Sequence, residues 1–360
     1  ILCGGDVMLS RNVAARARAK KDPAAPFRDI APIFAEADLA FVNLESPFSD
    51  KGAVMQRGMI FKTEPEMIAG LDLAGIDVVS TANNHARDRG SYGLEFTLDH
   101  LAQHNIAAVG TGKTVEAART GTVLERNGVR FGFLAYTYDA NNGNYQDSDP
   151  RINVMNLDTL RADIQAMKPR AEVILVSMHA GAEYQPAPNQ QQVQFARAAV
   201  DAGARVVIGH HPHVRQPWEW YGGAAIFYSL GNLVFDQFQR TETQIGSLAE
   251  LSEHAGRDVR GLDPHRPFID DVTFPCPDCG EEARRVPEVI DTWYAFGSPG
   301  REAEFHKSAR VGEYFVYSKG DKLDWNHPNR EGHRLISEYL VRSGILQKNL
   351  PVPAGTPAKQ

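Results

Sequence analysis

The chain has 360 residues, enough for two domains and for a large core in at least one of them. Hydrophobic residues make up 42% and charged residues 23% of the sequence, which is typical of a globular protein rather than a disordered or membrane-embedded one. The formal charge is -7 and no long basic block is present, so we expect no nucleic-acid partner.

Short aliphatic or β-branched runs alternate with amphipathic segments over residues 1–235, the pattern of a layered α/β domain. The expected strands are Ile1–Cys3, Leu39–Val42, Val78–Ser80, Ala107–Val109, Val129–Tyr136, Val173–Met178, Val206–Ile208 and Ala225–Tyr228. The expected helices are Thr63–Ala74, Leu94–His104, Leu157–Met167 and Gln190–Ala202. Gly75 and Gly203 predict the ends of two of these helices.

The composition changes after Phe235, where residues 239–310 carry Pro, Gly and charged side chains with brief apolar runs. We therefore expect a first domain over residues 1–238, a smaller α/β unit over 239–346 and a flexible tail over 347–360. Periodicity predicts a strand at Tyr314–Val316 and a helix at Gly332–Val341. The chain begins at Ile1 inside an apolar run, so we expect the natural protein to extend upstream, where an export signal or anchor would lie.

Polar residues of one chemical type follow five of the expected strands. They are Gly4-Gly5-Asp6, Asn43-Leu44-Glu45, Asn83-Asn84-His85, His179 and Gly209-His210-His211-Pro212-His213. Because ligand sites in an open α/β sheet form at the carboxyl ends of strands, we expect these loops to converge on one crevice. Carboxylate, amide and imidazole ligands without a thiolate suit Mn, Fe or Zn, and we expect two ions.

A centre of two ions would use Asp6 or Glu45 as a bridging carboxylate and would acidify a bridging water molecule. His85 is placed to protonate a leaving oxygen or to stabilise charge on a phosphoryl group. Taken singly, Asp6 and Asn84 have an alternative as turn or helix caps, and His179 as a core histidine. The three imidazoles at 210–213 favour a ligand role because they have little packing value.

Seven motifs occur in order between Gly4 and Asp236. They are Gly5-Asp6-Val7-Met8-Leu9, Val42-Asn43-Leu44-Glu45, Ala82-Asn83-Asn84-His85-Ala86 with Asp88 and Gly90, Gly110-Thr111-Gly112, Met178-His179-Ala180-Gly181 with Glu183-Tyr184, Gly209-His210-His211-Pro212-His213 and Tyr228-Ser229-Leu230-Gly231-Asn232. Together they resemble the CapA family of bacterial capsule and poly-γ-glutamate biosynthesis proteins. The resemblance implies a four-layer α/β/β/α sandwich similar to calcineurin-like metallophosphoesterases, and phosphoester hydrolysis by analogy of fold.

The resemblance also implies residue roles. The implied metal ligands are Asp6, Glu45, Asn84, His179, His210, His211 and His213. Among them, Glu45 corresponds to the bridging carboxylate and Asn84 to a ligand of the second ion, while His210 is either a ligand or a residue behind one. His85 corresponds to the acid or charge stabiliser. The expected substrate contacts are Arg11, Asn43 and Asn232. Metallophosphoesterases usually carry a His two residues after the first Asp, and Met8 stands at that position here.

Two functions stay open at this point. The first is a metal-dependent hydrolase or transferase that acts on a phosphoester or on the anionic capsule polymer. The second is a non-catalytic accessory protein that binds the polymer or the subunits of a membrane-bound polyglutamate synthase. Both place the protein at the cell surface or in association with a membrane, outside the cytoplasm, and turnover with bound metal distinguishes them.

The C-terminal sequence Asp324-Trp325-Asn326-His327 resembles the last block of SGNH (GDSL-type) esterases, in which an Asp and a His serve a Ser nucleophile across a short loop. No Gly-Asp-Ser sequence occurs in the chain. We therefore favour a partial SGNH segment in which Asp324 and His327 have a helix-capping or turn role. The alternative is a working esterase, which would require a serine that reacts with a fluorophosphonate.

Two shorter motifs have structural alternatives. Gly110–Thr114 resembles the end of a phosphate-binding P-loop, but Ala107 stands where that pattern needs a Gly, so we expect a turn before a helix at Val115–Arg119. Cys276 and Cys279 have the spacing of half a zinc knuckle. Its hypothetical further ligands are His265 and His306.

Overall fold

The computed structural model describes residues 1–51, 59–138, 149–251, 268–273, 315–318 and 322–328. The chain divides into two compact units, Ile1–Glu288 and Val289–Gln360. The helices in the described residues are α1 (Arg11–Lys20), α2 (Ala31–Phe34), α3 (Ile68–Ala74), α4 (Gly90–Gln103), α5 (Val115–Thr120), α6 (Leu157–Met167) and α7 (Gln190–Ala202). The strands there are β1 (Leu2–Val7), β2 (Ala40–Leu44), β3 (Val78–Ser80), β4 (Ala107–Val109), β5 (Thr122–Arg126), β6 (Val129–Thr137), β7 (Val173–His179), β8 (Val206–His210), β9 (Arg215–Tyr221), β10 (Ala224–Leu230), β11 (Asn232–Val234), β12 (Ile245–Glu250), β13 (Phe268–Thr273), β14 (Phe315–Ser318) and β15 (Lys322–Pro328).

Two sheets with parallel centres make up the first unit. The first sheet has the order β13-β12-β1-β2-β3-β4, in which β1 to β4 are parallel, and β11 also pairs with β1. The second sheet has the order β5-β6-β7-β8-β10-β9, with the parallel strands β6, β7, β8 and β10 between antiparallel edges. The carboxyl ends of the parallel strands therefore lie along one edge of each sheet.

Three apolar clusters fill the spaces between four layers of helices and sheets. The first cluster joins the first sheet to α1, α2 and α3, where Leu71 is fully buried. The second joins the second sheet to α6 and α7 and includes Ile164. The third fills the space between the sheets, where Phe41 stacks on Phe133 with ring centroids 5.9 Å apart. The expected four-layer α/β/β/α sandwich is confirmed, because each sheet is covered by helices on one face and by the other sheet on the opposite face.

Local capping residues account for the helix bounds that the sequence predicts well. α6 and α7 have the predicted bounds, and Asn189 begins α7 with a capping box completed by Gln192. α3 ends at Gly75, which has the left-handed conformation with φ 65°. Thr114 caps α5 by accepting a hydrogen bond from the backbone N–H of Ala117 at 3.1 Å, so the helix expected to begin at Val115 is confirmed.

Four of the five strands before the expected ligand loops, β1, β2, β7 and β8, extend further than predicted. β1 extends to Val7 and β8 to His210, so Asp6 and His210 lie within strands rather than in the loops after them. The first sheet also continues past the expected domain boundary at residue 238, because β12 pairs with β1 and β13 pairs with β12. Burial of Leu248 and Ala249 in β12 explains this addition. In the described part of the chain, no helix has the length and apolar character needed to cross a bilayer.

In the second unit, β14 and β15 form an antiparallel pair. Asp324 and His327 fall within the bounds of β15, between Leu323 and Pro328, which pair with Tyr317 and Phe315 across a shift in register. The side chains of Asp324 and His327 lie outside the described residues, and the esterase pair stays a prediction. Cys276, Cys279 and the helix expected at Gly332–Val341 also lie outside the described residues.

Asp163 connects three elements of the second sheet and its helices. Its carboxylate accepts a hydrogen bond from the Tyr136 hydroxyl at 3.0 Å and another from Nη2 of Arg119 at 2.6 Å. We expect Asp163→Ala to lower the free energy of unfolding by about 1–3 kcal/mol, because it leaves the buried Tyr136 hydroxyl without an acceptor. Asp158→Ala on the same helix removes a carboxylate that is 95% exposed and should cost less than about 0.5 kcal/mol in urea unfolding. Equal losses in the two variants would contradict this assignment.

Candidate metal centre

The polar carboxyl ends of β1, β2, β7 and β8 meet between the two sheets. Asp6, Asn43, His179 and His210 are each completely buried there. Two contacts join the sheets: Nδ2 of Asn43 lies 3.3 Å from Nδ1 of His179, and Nδ1 of His210 lies 3.4 Å from Oδ1 of Asp6. The structure therefore brings together the strand ends that the sequence predicts to converge.

Two groups of three buried side chains each present ligand atoms within 4.8 Å of one another. One group is Glu45, His179 and His211, and the other is Asp6, Glu45 and His213. Glu45 belongs to both groups. A carboxylate shared in this way can offer an oxygen to each of two ions.

The surroundings of Glu45 test whether these residues fit a cation. Glu45 is 1% exposed, and neither carboxylate oxygen has a hydrogen-bond partner among the described residues. The nearest imidazole nitrogens are Nε2 of His213 at 3.7 Å, Nε2 of His179 at 3.9 Å and Nε2 of His85 at 4.0 Å from Oε1. Burial raises the pKa of Glu45 well above its ordinary value, with Asp6 adding to the rise and His213 opposing it. A buried carboxylate without partners is costly, and a divalent cation would satisfy both oxygens, so the residues fit a metal.

Three of the four remaining members of the two groups have the charges that a cation requires, and His213 does not. Burial lowers the pKa of His211 to about 3 and the pKa of His179 well below its ordinary value, so both imidazoles are neutral and each has a lone pair to donate. Burial opposes ionisation of Asp6, but the neighbouring imidazoles of His210 and His213 lower its pKa well below the ordinary value. Despite burial, the carboxylates of Glu45 and Asp6 raise the pKa of His213 to about 9. Binding of a cation by His213 would therefore release a proton.

His85 lies at the edge of the centre with a carboxylate behind it. Its Nδ1 lies 2.7 Å from Oδ2 of Asp88, which also accepts the backbone N–H of Phe61 at 2.6 Å. The imidazole packs against the Phe61 ring with centroids 4.1 Å apart. Asp88 accepts the hydrogen of Nδ1. The other ring nitrogen, Nε2, faces Glu45. Sequence reasoning assigned no role to Asp88, although its His-x-x-Asp spacing was visible in the motif.

Two residues of the expected ligand set, Asn84 and His210, lie outside the two ligand groups. Oδ1 of Asn84 lies 2.8 Å from Nε2 of His179, next to one ligand group. His210 is outside both groups, and its two ring nitrogens have no hydrogen-bond partner in the described part of the chain. Met8, at the position where metallophosphoesterases usually have a His, packs in the apolar cluster beneath the helices. The structure therefore forms both ligand groups without a side chain at position 8.

The expected substrate contacts are already engaged within the protein. Nδ2 of Asn43 donates a hydrogen bond to Oδ1 of Asp6 at 2.8 Å. Asn232 uses its oxygen on His213 and its nitrogen on other neighbours. The Arg11 guanidinium forms an ion pair with the buried Asp236 and lies over the Phe61 ring, with 30% of its side chain exposed. Of the three, Arg11 is the residue that retains an exposed surface toward solvent.

Comparison with other proteins finds one short sequence match and one structural overlap with proteins that are not named as capsule proteins. The chain is 66% identical over 58 residues to the isoleucine–tRNA ligase of Streptomyces avermitilis, a stretch that covers 16% of this chain and 6% of the ligase. The solved structure of a 5'-nucleotidase precursor from Thermus thermophilus overlaps with 66% of this chain and 46% of its own, at 14% identity and a TM-score of 0.42.

The matches to capsule proteins are longer. The PGA biosynthesis protein CapA of Bacillus subtilis is 35% identical over 237 residues, and the capsule biosynthesis protein CapA of Bacillus anthracis is 32% identical over 242 residues. Each match covers 65% of this chain, which spans 62% and 59% of the two relatives' own lengths. The family model for the bacterial capsule synthesis protein PGA_cap matches residues 1–237, a range that includes both ligand groups. The chain therefore belongs to the PGA_cap family of bacterial capsule synthesis proteins.

Proposed function

We propose that this chain is a hydrolase of capsule or poly-γ-glutamate biosynthesis that depends on two divalent ions of Mn, Fe or Zn and acts on a phosphoester. The observation that carries this proposal is Glu45, a buried carboxylate without hydrogen-bond partners in the described residues that is shared by two groups of ligand atoms. The family and the names of the two CapA relatives support the biosynthetic setting. The anionic polymer and the subunits of its synthase are the proposed partners, at the cell surface.

The side chains have three proposed roles: metal ligand, proton donor and substrate contact. Asp6 and His213 would hold one ion, His179 and His211 the other, and Glu45 both. Bound divalent ions supply Lewis acidity toward a substrate oxygen and lower the pKa of a water molecule. As an imidazolium with hydrogens on both nitrogens, His85 would donate the Nε2 proton to the leaving oxygen, while Asp88 accepts the hydrogen of Nδ1 and holds the ring in place. Arg11, with its exposed surface, is the proposed contact for an anionic substrate.

Metal content measured by inductively coupled plasma mass spectrometry tests the centre directly. Protein purified without chelators or a His-tag should carry close to two equivalents of Mn, Fe or Zn, because two complete ligand groups are present. His211→Ala should lose metal, since it removes one ligand of a three-residue group. His104→Ala removes a part-exposed histidine that pairs with Asp72 and should retain wild-type metal content. Absence of metal even after incubation with excess Mn and Zn would overturn the proposal.

A second candidate function, an accessory protein that binds polymer without turnover, has one observation in its favour. Met8 occupies the position of a usual metallophosphoesterase ligand and packs in the core instead. Hydrolysis of bis(p-nitrophenyl) phosphate by the metal-loaded protein separates the two functions. Metal-dependent turnover supports the hydrolase, whereas bound metal without turnover, combined with retention on immobilised poly-γ-glutamate, supports the accessory role.

A further inference from the structure

A chain of hydrogen bonds leads from His213 toward the protein surface. Nδ1 of His213 lies 3.0 Å from Oδ1 of Asn232, and Nδ2 of Asn232 lies 3.1 Å from Oε1 of Gln237. Nε2 of Gln237 in turn lies 3.3 Å from the Tyr184 hydroxyl. His213, Asn232 and Gln237 are buried, with exposures of 3%, 1% and 8%, while Tyr184 is partly exposed. The four side chains thus form one connected path with its inner end at the candidate metal centre.

The direction of these hydrogen bonds follows from one backbone contact. Nδ2 of Asn232 also lies 2.9 Å from the carbonyl oxygen of Thr243, which can only accept. This contact places the amide nitrogen of Asn232 toward Thr243, so Oδ1 of Asn232 faces His213 and acts as an acceptor. His213 must therefore donate through Nδ1. The other atom close to Nδ1, Oδ2 of Asp6 at 3.4 Å, is an acceptor as well.

The consequence concerns the other ring nitrogen of His213. An imidazole that carries its hydrogen on Nδ1 has its lone pair on Nε2. Nε2 is the atom that lies 3.7 Å from Oε1 of Glu45, the carboxylate shared by both ligand groups. Hydrogen bonds of this kind behind a ligating histidine fix its orientation and raise its affinity for metal.

The backbone of this region supports a held ring rather than a freely rotating one. His213 and Tyr184 both have positive φ values, 58° and 64°, which side chains other than glycine rarely adopt. The Tyr184 backbone N–H donates to the carbonyl of Pro212 at 2.8 Å, and the Thr243 hydroxyl donates to the carbonyl of Gln237 at 2.6 Å. Strained residues persist only where their surroundings hold them, and the hydrogen bond from Tyr184 to Pro212 ties the outer residue of the path to the neighbour of His213.

We propose that Asn232 is a positioning residue, oriented by Gln237 and the Thr243 carbonyl, that keeps the hydrogen on Nδ1 of His213 and thereby presents Nε2 to a divalent cation. The proposal rests on the proposed function for the presence of that cation. It gives Asn232 a role different from the substrate contact expected from the sequence, because all of its polar atoms are occupied inside the protein.

Two substitutions at position 232 separate the acceptor from simple packing. Asn232→Leu has similar size and no acceptor, and we expect it to weaken Zn²⁺ affinity about 10- to 100-fold by isothermal titration calorimetry. Asn232→Asp keeps an oxygen toward His213 but turns its other oxygen toward the Thr243 carbonyl in place of a donor, so its affinity should fall between those of Asn232→Leu and the wild type. In imidazole ¹⁵N NMR spectra of the Zn²⁺-loaded protein, the wild type should show the hydrogen of His213 on Nδ1, and Asn232→Leu should lose that signal.

Variants elsewhere in the segment provide the control and a second test. Gln244→Leu removes a glutamine of the same loop that donates to the backbone carbonyls of Phe238 and Arg240, and it should bind Zn²⁺ like the wild type. Gln237→Leu removes one of the two acceptors that orient Asn232 and should weaken binding by less than about tenfold, which gives a test if Asn232→Leu does not fold.

Two results would overturn the positioning role: wild-type Zn²⁺ affinity in both Asn232→Leu and Gln237→Leu, or a hydrogen on Nε2 of His213 in the loaded wild type. Failure of the wild type itself to bind Zn²⁺ or Mn²⁺ is a different outcome. It would overturn the metal centre of the proposed function, and with it the cation on which the role of Asn232 depends.

Discussion

Glu45→Gln is expected to abolish the stabilisation of this protein by divalent metal while leaving the metal-free protein at least as stable as the wild type. In metal-free protein, the Glu45 carboxylate is buried without hydrogen-bond partners among the described residues, and burial raises its pKa. A neutral amide of the same shape removes the cost of burying an ionisable group whose pKa is raised in the folded state, so the free energy of unfolding should stay equal or rise by about 1–3 kcal/mol.

Loss of metal binding is the opposite effect of the same substitution. Glu45 belongs to both ligand groups, so its loss should weaken affinity by at least about 100-fold, the upper end of what removal of a residue behind a ligand costs. At a Mn²⁺ concentration 100 times the wild-type Kd, the wild type gains about 2.7 kcal/mol of stability and the variant about 0.4 kcal/mol. Thermal unfolding with and without Mn²⁺ measures both effects.

The matched control is Glu172→Gln. Glu172 is an exposed carboxylate paired with Arg130 on the second sheet, outside both ligand groups. This variant should show the wild-type response to Mn²⁺. The assignment of Glu45 would be refuted by a variant that unfolds well below the metal-free wild type and still gains the full stabilisation from Mn²⁺, because that combination describes a structural carboxylate.

His85→Ala should lower kcat for the phosphodiester by about 10²- to 10⁴-fold with little change in metal content. The reason is that His85 stands beside the ligand groups rather than in them, with Nε2 4.0 Å from Oε1 of Glu45 and Nδ1 held by Asp88. Asp88→Asn should lower kcat less, because it disturbs the orientation and the tautomer of His85 without removing the imidazole. Steady-state kinetics and metal analysis on the same samples check both statements.

His104→Ala is the control for this pair of variants. His104 pairs with Asp72 near the surface, and its removal should change neither kcat nor metal content. Unchanged turnover in His85→Ala would exclude it as the proton donor. Loss of metal together with turnover would instead make His85 part of the coordination, which is a different role from the one proposed here.

Much of the fold was accessible to sequence reasoning because its signals are local. The bounds of α6 and α7 follow from apolar spacing and from the capping residues Asn156 and Asn189. The expected bounds of β3 and β4 match the structure as well. Helix α1 was missed because its sequence is rich in Arg and Lys and its buried side is formed by Val13, Ala14 and Ala17, which make a weak apolar pattern.

The residue types of the site were equally accessible. A strand followed by a carboxylate, an amide or an imidazole is visible within a few positions, and five such strands together indicate metal ligands because Mn, Fe and Zn take these donor types. The sequence could not show that both ligand groups form without a side chain at position 8. It also could not show that His211 and His213, but not His210, belong to a ligand group. Those outcomes depend on the irregular pairing of β1 after Asp6 and on the turn after β8, where His211 and His213 have positive φ values.

By itself, the sequence determined the α/β class, the capped helices and the residue types available as metal ligands. Secondary-structure propensity, periodicity and capping act over a few neighbouring residues, so they can be read from the sequence. Tertiary structure alone decided that Glu45 is shared, that His210 stands apart and that Asn232 faces His213. These contacts join distant parts of the chain: Asn43 and His179 meet across 136 positions. The order of strands in two facing sheets brings such residues together, and no local pattern encodes which strand ends will face each other.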